Sequence, residues 1–172
     1  MNKEHELAGS FKRKIPWLLL IATIAAAALV ALIVTPDRPS ISAENADIVV
    51  YKTARCSCCG KWVTHLEDAG LNVGVVNVNS THTTQKLVGV PRNLRACHTA
   101  VVGDYWVEGH VPADLVRRLI TEKPAGIKGI AVPGMPAGSP GMESPNPVKY
   151  DVLAYDSDGN ISVYATRQGL TH

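Results

Sequence analysis

The chain has 172 residues, 46% of them apolar and 19% charged, which leaves room for one ordinary globular domain and excludes two large ones. Seventeen Lys and Arg against fifteen Asp and Glu give a formal net charge of +2. That balance lacks the one-sided basicity of a phosphate-backbone binder, so a nucleic-acid partner is not expected.

Residues 1–14 end in Lys12, Arg13 and Lys14, a basic N-terminus expected to stay cytoplasmic. From Ile15 to Val34 twenty consecutive residues carry no charge. At about 1.5 Å per residue such a helix is about 30 Å long, enough to cross a bilayer. The core of a cleaved signal is shorter, about 7 to 15 residues. The pattern therefore predicts a transmembrane helix or signal anchor over residues 15–34. The remaining chain would face the periplasm, anchored to the inner membrane or released there if the segment is cleaved. Residues 35–46, with Pro36 and Pro39 and no periodicity, read as a linker, and 47–172 as the folded domain.

Within that domain, Asp47 to Thr53 is β-branched and aromatic, a buried strand. Cys56-Ser57-Cys58-Cys59-Gly60 then opens a helix whose apolar positions Trp62, Val63, Leu66 and Ala69 end at Gly70. Leu71 to Val78 is a second strand after that crossover, the mark of a parallel pair. Ser80 to Val88 suggests a short helix. Thr99 to Val102 and Tyr105 to Glu108 flank Gly103-Asp104 as a two-residue hairpin. A third helix starts at Pro112 and ends near Lys123. Pro124 to Pro147 is rich in Gly and Pro and reads as irregular chain; its length suggests a functional loop. Val148 to Tyr155 and Ile161 to Thr166 form a last hairpin. The order β-α-β-α-β-β-α, with cysteines at the first strand-to-helix junction, predicts an α/β thioredoxin-like domain with a C-terminal β-hairpin extension, preceded by the transmembrane helix.

All four cysteines lie in this domain. Cys56 and Cys59 share one face of the first turn, and Cys58 points about 100° away from Cys59. The helix N-terminus, with Arg55 and Lys61 beside it, predicts acidic and reactive thiols. Cys97, just before the third strand, and His98 are placed to face the cluster. Soft thiolates suit Cu(I), zinc or iron–sulfur. Zinc sites favour two chelating cysteine pairs, whereas here one cysteine stands outside the cluster. Thiolates that bridge several Cu(I) ions fit better.

The runs Cys-Ser-Cys-Cys-Gly-Lys-Trp, Ala-Cys-His-Thr, Glu-Gly-His-Val-Pro and Gly-Ile-Ala-Val-Pro-Gly-Met-Pro-Ala-Gly-Ser-Pro-Gly-Met-Glu occur in that order. They resemble the periplasmic copper-resistance CopG family over about residues 47–166. The resemblance implies a thioredoxin-like fold, Cu(I) bound through the CxCC thiolates of Cys56, Cys58 and Cys59, and a copper-linked redox role. Cys97 and His98 match its Cys-His-Thr. It implies copper ions and periplasmic copper-handling proteins as partners.

Two further readings stand beside this one. Four cysteines in an oxidising compartment can be structural disulfides, but three within four positions make a poor staple. A CxxC pair at a helix N-terminus also suits a thiol–disulfide oxidoreductase, with Cys56 and Cys59 as its redox pair. The extra Cys58 would compete for a mixed disulfide and favours metal. Met135 and Met142 offer thioethers as accessory copper ligands or are loop filler. His110 is read as a structural histidine, His65 as too far along the helix to share a metal with Cys58, and Trp62 as a core aromatic.

Overall fold

The computed structural model describes residues 46–170. Among the described residues, seven strands and three α-helices follow in the order β1 (Ile48–Lys52), α1 (Ser57–Asp68), β2 (Val73–Asn77), α2 (His82–Leu87), β3 (His98–Val102), β4 (Tyr105–Gly109), α3 (Ala113–Glu122), β5 (Ile127–Val132), β6 (Lys149–Asp156) and β7 (Ile161–Gln168). A 3-10 turn at Arg92–Leu94 precedes β3. All strands belong to one mixed sheet in the order β2-β1-β3-β4-β5-β6-β7. The β1–β2 and β4–β5 pairs are parallel, each joined through a helix, and the other neighbours run antiparallel.

Alternation along the strands divides the apolar side chains between the two faces of the sheet. Ile48 and Val50 of β1, Ala100 and Val102 of β3, Val107 of β4 and Ile130 and Val132 of β5 form the main core with Trp62, Val63 and Leu66 of α1 and Leu115, Val116 and Leu119 of α3. On the other face Trp106 and Ala131 pack with Val90 and Leu94. Fully burying side chains of this size contributes about 1.5–3 kcal/mol each, so the paired layers hold the sheet ends, where the loops meet, in fixed positions.

Three expectations are corrected. The chain is not a thioredoxin-like domain with a separate hairpin extension: β6 and β7 continue the single mixed sheet through β5, so no extension stands apart from it. The stretch Pro124 to Pro147, expected to be irregular, contains β5 at the centre of this continuation. The Gly and Pro content of the stretch masks that strand. At Gly129 a Cβ would lie 2.1 Å from the indole of Trp106, so the glycine makes room for a ring packed across the sheet. The third correction concerns the membrane. Among the described residues no helix is long and apolar enough to cross one, so the expected inner-membrane anchoring has no element there to carry it. The segment expected to span, residues 15–34, lies outside the described residues.

Candidate metal centre

Cys56 is the N-cap of α1, with extended backbone angles and no side-chain cap, and its N–H donates to the carbonyl of Thr53, the residue after β1. The helix thus begins at the cysteine run because the chain must turn there from sheet to helix. Cys56 and Cys59 are joined by a disulfide, while Cys58 and Cys97 carry free thiols. Cys58 Sγ lies 3.5 Å from Cys56 Sγ. The sulfurs of Cys56, Cys58, Cys59 and Cys97 all fall within 4.8 Å of one another.

Cys97 also belongs to a second group. Its Sγ stands 3.4 Å from His98 Nδ1 and 3.4 Å from His110 Nε2. The other ring nitrogen of each histidine faces a backbone carbonyl: His98 Nε2 donates to Gly109 O at 3.0 Å, and His110 Nδ1 to Pro140 O at 2.7 Å. A carbonyl can only accept, so the protons sit on the outer nitrogens and the lone pairs point at the sulfur. Metal-binding imidazoles are held in this way. Burial keeps both rings neutral, with the His98 pKa lowered to about 3 and that of His110 also lowered. Trp62 fixes the His98 plane from the core side, ring centroids 4.3 Å apart, and its own indole N–H donates to Val111 O.

The acidic thiols expected at the helix N-terminus do not include Cys97, which lies outside that helix. Burial, and then the neighbouring Cys58, push its thiol up to about 12. Withdrawal from water disfavours the charged thiolate.

The loop after β5 closes over the start of α1. Gly141, at φ +82°, approaches so closely that a Cβ would lie 2.8 Å from Cys58 O and 2.9 Å from Trp62 N. Cys58 opens onto a groove of about 400 Å³ that Lys61, Met135, Met142 and Glu143 also line. Both methionines expected as accessory ligands therefore face the same groove as that thiol. A larger cavity, about 470 Å³, is lined by Trp106, Tyr105, Tyr155 and Lys128 and includes no thiol or imidazole.

His110 was read as structural, but it stands against Cys97. The signal was present: counting outward from the Gly103-Asp104 turn, Val102 pairs with Tyr105 and Thr99 with Glu108, so two more steps set Cys97 opposite His110. His65 does lie apart from the sulfur group and accepts the Ala113 N–H at the start of α3.

Glu108 is expected from the sequence only as the end of a strand. It is fully buried, and its carboxylate accepts hydrogen bonds from Ala96 N–H, Gln85 Nε2 and the Thr99 hydroxyl at 2.6, 2.7 and 2.6 Å. Burial raises its pKa to about 7.

Residues 94–142 match the family model described as Protein of unknown function, DUF411. That range holds Cys97, His98, His110 and the closing loop. Two solved structures, forms 1 and 2 of the copper resistance protein copG, are each 39% identical to this chain with a TM-score of 0.66. They cover 71% and 70% of it and 97% and 96% of their own lengths, respectively. Among curated proteins none matches.

Proposed function

The chain belongs to the CopG copper-resistance family, and from that premise we propose that it binds copper as Cu(I) through Cys56, Cys58, Cys59 and Cys97, with His98 and His110 completing the centre. The observation that carries the reading is the shared position of Cys97, whose sulfur belongs both to the four-sulfur group and to the Cys-His-His group. A thiolate so placed can bridge, so the donor set accommodates more than one ion. Thiolate and neutral imidazole are the donors that soft Cu(I) selects. Met135 and Met142 serve as accessory thioethers at the groove beside Cys58. Other copper-handling proteins would exchange the ion with this centre.

A redox role follows from the Cys56–Cys59 pair. Two thiols that close to a disulfide release two protons and two electrons, which reduce two Cu(II) to two Cu(I). The disulfide also supports the second reading, a thiol–disulfide oxidoreductase that needs no copper. The two readings diverge in a direct assay. Reduced full-length protein, titrated anaerobically with Cu(I) against a competing chelator, should retain the metal, and X-ray absorption should show mainly sulfur neighbours. Cys58→Ser should lose that retention. Insulin reduction at an appreciable rate by copper-free protein, with no Cu(I) held against the chelator, would establish the second reading instead.

A further inference from the structure

We propose that Glu108 is a positioning residue for the centre, a buried carboxylate on the opposite face of the sheet that holds the Cys97-His98 dipeptide in register. The inference rests on the copper reading for its role but on hydrogen-bond geometry for its mechanism. Cys97 and His98 lie between Ala96 and Thr99, and the Glu108 carboxylate grips both flanks, taking the N–H of the first and the hydroxyl of the second. Gln85 of α2 adds a second hold. Its amide donates to Glu108 and also to Ala96 O at 3.1 Å, so both backbone polar groups of Ala96 are tied down.

Alternation sets the sides. Ala100 and Val102 point into the main core with α1, whereas Thr99 and its partner Glu108 fall on the face of Trp106. The carboxylate therefore reaches the site from behind, through backbone, and needs no contact with metal. Its strand also supplies Gly109 O, which orients His98, and leads directly into His110. In the ionised form the two oxygens only accept, and three donors converge on them. Glutamine has the same shape but turns an NH2 toward one of those donors, so Glu108→Gln breaks the grip without opening a cavity.

The test has two readouts. In copper-free protein, Glu108→Gln should raise the alkylation rate of Cys97 relative to Cys58 by about tenfold, equivalent to about 1.4 kcal/mol less protection against local opening. In the copper titration the same variant should weaken Cu(I) binding by about 10- to 100-fold, the usual cost of losing a support of a metal ligand. Repeated in a Cys97→Ser background, the substitution should weaken binding by a smaller factor than in wild type, since one of the two ligands it positions is gone and only His98 remains; an equal loss in both backgrounds would mark Glu108 as merely structural and overturn the proposal. An unchanged ratio of Cys97 to Cys58 alkylation overturns it as well, whatever the copper result. Wild-type protein that holds no Cu(I), while the alkylation ratio still shifts, would refute the copper reading and leave the clamp standing. Thr99→Val, which removes one donor and keeps the strand, should produce a smaller shift in the same direction, and covers the case in which Glu108→Gln does not fold.

Discussion

His110 Nε2 and Cys97 Sγ face each other across the open end of the β3–β4 hairpin at 3.4 Å. The imidazole proton is committed elsewhere, to Pro140 O in the loop that closes over α1. One side chain thus links the hairpin, the closing loop and the sulfur group.

His110→Gln should therefore lower Cu(I) affinity by at least about tenfold, or reduce the number of ions bound, while the Cys56–Cys59 disulfide still forms. Chelator competition and metal-to-protein ratios measure this. Wild-type values would return His110 to a structural role.

Cys97 should resist alkylation at neutral pH in copper-free protein, because burial holds its thiol near 12. Its rate should climb about tenfold per pH unit through the range below that value, as the thiolate fraction grows. Peptide mapping by mass spectrometry after timed iodoacetamide treatment follows each cysteine separately. A Cys97 rate already at its plateau near pH 8 would contradict the burial.

Stability against pH should show two opposed contributions. Glu108 is raised from 4.5 to about 7, so its contribution is complete below 4.5 and is lost as pH rises through about 7. His98 is lowered from 6.5 to about 3, so its contribution is complete above 6.5 and is lost as pH falls toward about 3. Between 4.5 and 6.5 the two offset each other. Glu108→Gln removes one partner, and the copper-free variant should then lose stability on acidification more steeply than wild type, by up to about 1.4 kcal/mol per pH unit. Denaturant unfolding at a series of pH values provides the comparison; parallel curves would contradict it.

Two glycine substitutions should separate fold from site. Gly129→Ala forces a Cβ into the Trp106 ring and should cost about 1–3 kcal/mol of stability, with copper affinity kept in the folded fraction. Gly141→Ala drives a Cβ against Cys58 O at positive φ, so it should lift the closing loop and weaken copper binding too. Equal copper affinities in the two variants would show that the loop does not support the centre.

Much of the site was legible because it is local. The cysteine run sits where a strand gives way to a helix, a junction that periodicity and β-branching mark within a few residues, and the soft donor set follows from residue type alone. The hairpin turn at Gly103-Asp104 was equally legible, and with it the pairing that sets His110 against Cys97, although that consequence needed the register to be counted to its end.

The sheet was less accessible. Glycine can break a strand or make room for a ring, and only the packed Trp106 distinguishes the two at Gly129. The Glu108 clamp joins α2, the chain before β3, β3 itself and β4, residues brought together by strand pairing across the sheet. By itself the sequence determined which donors the chain possesses and where its local turns fall, since both depend on neighbours a few bonds away. Tertiary structure decided which nitrogen faces which sulfur and which thiol is withdrawn from water, because desolvation and hydrogen-bond direction depend on atoms that meet only when distant segments pack.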